Sequence, residues 1–259
     1  MMVGREVSLV VEKKPPEMGE IVLEVKDLFV RDERHNLAVQ GVTFDVHIGE
    51  ILGTAGVQGN GQTELVYALT GLAPIESGEI RITGKTVKKL TPRNILELGV
   101  AHVPEDRQKH GLVLSFPIFD NLMLCTYYLP PFSKGIALQK KEIQSNANKL
   151  ATQFDVRTPS VQLAASTLSG GNQQKVIVAR EFSRPIHLLI ASQPTRGLDV
   201  GSIEYIHSRI VEKRSERTAV LLVSSELDEI IALSDRIAVI YKGQIVEIVD
   251  ASKVNKEYL

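Results

Sequence analysis

Gly56-Val57-Gln58-Gly59-Asn60-Gly61-Gln62-Thr63 has the glycine spacing of a loop that wraps a phosphate. Such loops work because glycine lets successive backbone N–H groups turn inward at a helix N-terminus, where the helix dipole adds partial positive charge. The pattern G-x-x-x-x-G-K-[ST] sets a lysine after its last glycine. Here that position is Gln62, which donates a hydrogen bond but carries no charge. Thr63 offers a hydroxyl suited to Mg²⁺, and Glu64 follows it. A second stretch, Leu168-Ser169-Gly170-Gly171-Asn172-Gln173, sets a serine and two glycines ahead of a helical segment. It makes a second helix start open to an anion. As local structure alone, the first stretch is a tight turn and the second a helix cap, with Ser169 as the capping residue.

The flanking segments must position these two loops. Residues 51–55 read as a short buried strand that runs into the glycine loop. Leu65, Val66 and Leu69 give residues 62–72 helical spacing. Residues 21–30 and 38–49 read as strands turning near Asn36, and 78–87 and 99–104 as two more. Residues 107–165 change character. Helical spacing runs through 119–128 and 143–154, and Pro130-Pro131 separates the two. Further on, a helix from about Gly171, a strand at 187–191, a helix from about Gly201, a strand at 219–224 and a helix at 227–233 alternate. Residues 236–249 read as a hairpin turning at Lys242-Gly243. Alternating strands and helices predict an α/β fold, a parallel sheet covered by helices. The expected organisation is an extended segment over 1–20, a first part of the core over 21–106 with an antiparallel β layer and the phosphate loop, an inserted helical subdomain over 107–170, and a second part of the core over 171–259.

Composition narrows the function classes. A net charge of −1 gives no basic excess, so no nucleic-acid partner is expected. The single cysteine, Cys125, excludes an internal disulfide. The six histidines show no paired metal spacing. No apolar run reaches the ~20 residues of a membrane span, so membrane contact is expected to go through a partner. The charges and prolines of the first twenty residues do not read as a signal peptide.

Taken together, the two glycine stretches resemble those of an ATP-binding-cassette (ABC) ATPase, the first its Walker A loop and the second its signature motif. The resemblance runs from about Glu20 to Val249. It implies a P-loop NTPase core of RecA-like type, with ATP and Mg²⁺ as cofactors and Thr63 as a Mg²⁺ ligand. In this family the signature closes over ATP held by the facing domain. Gly197-Leu198-Asp199 resembles the family's D-loop. Other positions depart from the pattern. The strand before Pro194-Thr195 should end in Asp, which holds Mg²⁺ through its water shell, and Glu, which polarises the attacking water. Ser192 and Gln193 stand there. The switch histidine is Ser225, and the Q-loop glutamine is Glu105. Losing a positioned base costs about 10²–10⁴ in rate, and losing an electrostatic stabiliser about 10²–10³. The chain's own ATP site is therefore expected to be close to inert, with ATP and Mg²⁺ bound weakly or not at all.

The departures resemble the degenerate second half of tandem ABC ATPases that energise importers of nucleosides and simple sugars. Gly99-Val100-Ala101-His102-Val103-Pro104-Glu105-Asp106-Arg107 and Gln193-Pro194-Thr195-Arg196-Gly197-Leu198-Asp199 carry this likeness, as does Asn172-Gln173-Gln174-Lys175. Residues 127–133 and 154–159 lean to the nucleoside branch, and Met2–Val7 looks like the tail of a first cassette. The likeness implies a partner cassette in a protein of roughly twice this length, transmembrane permease subunits, and a place at the cytoplasmic face of the cell membrane. Three alternatives stay open: an ordinary self-hydrolysing ABC ATPase, a non-transport ABC protein, and a regulatory module without ATP.

Overall fold

The computed structural model describes residues 13–88 and 90–254. The Met2–Val7 reading lies outside them. In chain order the elements are β1 (Ile21–Arg31), β2 (Leu37–His47), β3 (Ile51–Ala55), α1 (Gln62–Leu69), β4 (Ser77–Ile82), β5 (Lys85–Thr86), α2 (Pro92–Glu97) and β6 (Val100–Val103). Then come α3 (Ile118–Met123), β7 (Ser133–Lys134), β8 (Ala137–Leu138), α4 (Lys140–Gln153) and α5 (Gly170–Phe182). The chain closes with β9 (Leu188–Ser192), α6 (Val200–Ser215), β10 (Ala219–Val223), α7 (Leu227–Leu233), β11 (Arg236–Tyr241) and β12 (Gln244–Asp250).

Contacts divide the chain into two compact units. The first takes the segments up to His102, Ile186–Gln193, and from His207 onward. Its sheets follow from two kinds of sequence. β3, β9 and β10 are buried at every residue, as expected of strands covered on both faces. They pair in parallel, with β11 beside β3, in the order β12-β11-β3-β10-β9-β6. β1, β2, β4 and β5 form the antiparallel layer. In β1 the buried residues Leu23 and Val25 are followed by Leu28 and Val30, a step of three. A register shift there, with Asp27 at φ +45°, puts both pairs on one face. Those side chains, with Phe44, Ile80 and Ile82, join Leu65 and Leu69 of α1 and Leu52, Ile190 and Leu221 of the second sheet in one core. That packing fixes the start of α1, and so the glycine loop.

The second unit comprises Val103–Pro185 and Pro194–Ile206. Its helices α3, α4 and α5 pack against one another. Ile143, Ala147, Leu150 and Ala151 give α4 a single apolar stripe, which is buried. The unit extends past residue 170 through the whole of α5.

Some sequence expectations differ from the fold. Residues 78–87 form a hairpin rather than one strand: Thr83 (φ +49°) and Gly84 (φ +74°) make its turn. Two successive positive φ values mark a primed turn, the same kind as Lys242-Gly243. Helix α2 was not expected, although Thr91-Pro92 carries its signal: Thr91 Oγ1 accepts from the Asn94 N–H, and proline takes the first position. The helix expected over 119–128 ends at Met123 and gives way to turns before Pro130. A small hairpin, β7–β8, sits within the helical segment.

Candidate functional site

The glycine loop leaves β3 at Gly56 and enters α1 at Gln62, with Gly59 and Gly61 at φ +90° and +95°. Gly61 caps α1 without a side-chain hydrogen bond. The Gln62 side chain is buried and turns back into the loop. Its Oε1 accepts from the Asn60 N–H at 3.0 Å, and its Nε2 donates to the Val57 carbonyl at 3.0 Å. Asn60 Nδ2 donates to the same carbonyl at 2.8 Å. Asn60 also ties the loop to the β11–β12 turn: its Oδ1 accepts from the Lys242 N–H at 2.8 Å, and its carbonyl from the Gly243 N–H at 3.1 Å. Sequence reasoning named these loop residues but not this tie. Val57, Gln58 and Gly59 are exposed, Thr63 is half-buried, and Glu64 lies in the first turn of α1, where its charge suits the helix dipole.

Three further positions of the expected site belong to the same unit. Ser192 ends β9 and is buried. Gln193 follows at φ +46°, its N–H donating to the Val223 carbonyl at 2.7 Å. Its Oε1 accepts from both the N–H and the hydroxyl of Ser225, each at 3.2 Å. The positions of an expected glutamate and histidine thus hold a neutral pair bonded to each other. No carboxylate or imidazole stands at these three positions to move a proton.

In the second unit, Ser169 is the N-cap of α5, its Oγ accepting from the Asn172 N–H at 3.4 Å. Asn172 Nδ2 donates to the same oxygen at 3.0 Å, and Asn172 Oδ1 accepts from the Arg157 N–H at 2.8 Å. With Asn172 donating twice to Ser169 Oγ, the serine's own proton is directed elsewhere. A cavity of about 330 Å³ adjoins it, lined by Ser169, Gly171, Asn172, Lys175, Asp199 and Ser202 among others. Leu168 and Gln173 are buried beneath. Asp199 accepts from the Ser202 hydroxyl at 2.7 Å and from its N–H at 3.0 Å, and these bonds hold its carboxyl below the usual carboxylate range. A Cβ at Gly171 would lie 2.2 Å from Ser202 Oγ, so a side chain here would force Ser202 to shift.

Glu105 pairs with Arg196 across an ion pair. Beside it, Arg107 Nη1 donates to the Arg196 carbonyl at 2.9 Å, and a Cβ at Gly170 would stand 2.9 Å from Arg107 Nη2. Arg107 and Ser202 are neighbours of the 168–173 stretch that sequence reasoning did not assign. Arg107 ends the 99–107 motif, and Ser202 lies three residues after Asp199, the spacing of a helix-capping carboxylate.

Comparison with known proteins gives these arrangements a family. Residues 39–196 match the family model described as ABC transporter. The nucleoside import ATP-binding protein NupA of Lactococcus lactis is 52% identical over the whole chain, which covers 51% of NupA. The guanosine import ATP-binding protein NupO of Bacillus subtilis is 49% identical, with the same coverage. The chain thus spans about half the length of these relatives. Among solved structures, a nucleotide-free ATP-binding cassette superposes with a TM-score of 0.74 over 89% of this chain and 92% of that one, at 19% identity. A dimeric cassette bound to ADP and Pi also reaches 0.74, over 88% of this chain and 98% of that one, again at 19% identity. The chain belongs to the ABC transporter family, as an ATP-binding domain with the ABC ATPase fold.

Proposed function

We propose that this chain is the energy-coupling ATP-binding domain of an importer for nucleosides or simple sugars. Its own nucleotide site is degenerate, and Leu168-Ser169-Gly170-Gly171-Asn172-Gln173 completes the site of a partner cassette. The partner cassette is the other half of a longer protein, and the pair works with transmembrane permease subunits at the inner face of the membrane. The names of the relatives support the solute class: NupA and NupO are nucleoside and guanosine import proteins, and a 42% identical relative in Haloferax volcanii is the glucose import protein TsgD13.

The observation that carries the asymmetry is the bonding of the degenerate positions. Gln62, Ser192, Gln193 and Ser225 hold no charge, and two of them satisfy each other. ATP with Mg²⁺ does not fit this donor set. No lysine faces the loop from position 62, Mg²⁺ relies on carboxylates and phosphates for its ligands, and only Thr63 offers a hydroxyl at the expected place. The signature helix start, by contrast, presents a serine hydroxyl to a cavity at the positive end of a 13-residue helix. When bound by a partner, ATP supplies the γ-phosphate. The part of this chain is to hold Ser169 oriented through Asn172 and to keep Gly171 clear of side chain.

The test is hydrolysis by the isolated chain beside hydrolysis by the full-length protein. The isolated chain is expected to stay well under about 1 s⁻¹, the lower end for enzymes. Turnover at or above that value favours the alternative of an ordinary self-hydrolysing ABC ATPase.

A further inference from the structure

Two of the three glycines of 56–63 are accounted for by packing. A Cβ at Gly56 would lie 2.5 Å from the Ile240 carbonyl oxygen, and one at Gly61 2.2 Å from that of Ala38. Gly243, in the turn that bonds to Asn60, would meet the same Ala38 oxygen at 2.3 Å. Its own carbonyl accepts from the Gln40 N–H at 2.8 Å. Gly56 and Gly61 are therefore needed for the close approach of the loop to β2 and β11, whether or not a phosphate ever enters. Only at Gly59 would an added Cβ meet nothing within 4 Å.

Two of the loop's backbone polar groups, the Asn60 N–H and the Val57 carbonyl, are also taken from within the loop. Gln62 Oε1 holds the Asn60 N–H, and Gln62 Nε2 and Asn60 Nδ2 converge on the Val57 carbonyl. A lysine at position 62 has no oxygen to accept that N–H, since an ammonium only donates. Glutamine supplies both an acceptor and a donor, so it bonds the loop from inside without charge.

We propose that Gln62 is a built-in occupant of this phosphate loop: its amide takes the place of an anion, and the loop serves as a clasp joining β2, α1 and the β11–β12 turn while excluding nucleoside phosphates. The proposal rests on reading 56–63 as a degenerate nucleotide loop, and goes beyond it by making exclusion an active property of Gln62. Loss of the lysine alone would leave a weak site; a seated glutamine closes it.

The experiment is calorimetric titration of the chain with ATP, ADP and inorganic pyrophosphate, for wild type, Gln62→Ala, Gln62→Ser and Gln62→Lys, with a melting curve for each. Wild type is expected to show no saturation at about 1 mM of any of the three. Gln62→Ala and Gln62→Ser release the Asn60 N–H and are expected to bind pyrophosphate and ADP at least about tenfold more tightly, while melting at lower temperature without ligand. Gln62→Ser guards against failure of the alanine variant to fold. Gln62→Lys adds charge as well and is expected to gain most. A gain in Gln62→Lys with none in Gln62→Ala or Gln62→Ser would overturn the proposal, because absent charge would then be the whole cause. Micromolar binding by wild type, weakened in Gln62→Ala, would overturn it as well. Hydrolysis by the wild-type chain would sink the degenerate-site reading and the exclusion with it, whereas a gain confined to Gln62→Lys would sink the exclusion alone, so the two failures are distinguishable.

Discussion

The two glycine-bearing helix starts differ in what meets them. At 56–63 the loop is bonded by its own Gln62 and Asn60 and tied to the Lys242-Gly243 turn. At 168–173 the Ser169 hydroxyl is fixed by Asn172 beside an open cavity. Both starts keep their glycines, and at both some of those glycines answer to backbone or side-chain packing. Glycine spacing therefore reports where a chain folds tightly. The side chains that fill or leave the space next to it decide whether a ligand enters. In the first region the neutral Gln62, Gln193 and Ser225 each hold a hydrogen-bond partner within reach; in the second the polar groups are oriented and the space beside them is left.

The largest test of this contrast is Ser169→Ala in the proposed two-cassette protein, together with the proposed permease subunits. Removing a donor to a developing phosphate charge is expected to lower coupled ATPase by about 10²–10³. Ser225→Ala, which breaks only the bond to Gln193, is expected to change it less than about twofold. If Ser225→Ala lost activity while Ser169→Ala kept it, the roles assigned to the two regions would be reversed.

A gain-of-function attempt sharpens the same point. Ser192→Asp with Gln193→Glu restores both carboxylates to the isolated chain. Turnover is still expected below about 1 s⁻¹, since Gln62 continues to fill the loop and Ser225 cannot act as a histidine. Calorimetry of wild type and of that double variant should show no saturation by ATP at about 1 mM with or without Mg²⁺, because Gln62 still fills the loop in both. A large Mg²⁺ effect in wild type would mean that the first region holds a metal site after all.

Gly171 separates ligand approach from packing. An added methyl would press on Ser202 Oγ at 2.2 Å and Asp199 Oδ2 at 3.2 Å. Gly171→Ala is expected to destabilise the chain by about 1–3 kcal/mol, as overpacking does. Ser202→Gly should return part of that loss, measured as coupling in a denaturation cycle. Full additivity would show that the two residues do not press on each other.

Much of this was legible in the sequence because glycine, proline and apolar runs act locally. The buried strands 51–55 and 219–223, the helix 227–233 and the Lys242-Gly243 turn follow from such signals. The missed hairpin at Thr83-Gly84 depends on a non-glycine residue at positive φ, which Thr does not advertise. The positions 62, 192, 193 and 225 were visible as departures from a pattern. What they do instead was not, because the Gln193–Ser225 and Asn60–Lys242 bonds join residues far apart in sequence. Side-chain hydrogen bonds of that range are set by the tertiary fold. No motif spacing encodes them.

The smallest expected effect lies at Asp199. The Ser202 hydroxyl and N–H favour its ionised form, so its folded pKa lies below the unfolded value of about 3.9. Stability from this bond is complete above the unfolded pKa and disappears as pH falls through the folded one. Asp199 is exposed, so solvent screens much of the benefit. Ser202→Ala should lower stability at pH 7 by under about 1 kcal/mol, because the backbone bond remains. The gap between variant and wild type should narrow as pH is brought from 5 down to about 3. Urea midpoints at both pH values measure it. A gap that stays constant would mean that the hydroxyl matters to Gly171 packing alone. A gap that closes would tie the charge of Asp199 to the residue that borders the signature glycine, and mark the second region as the one still tuned electrostatically.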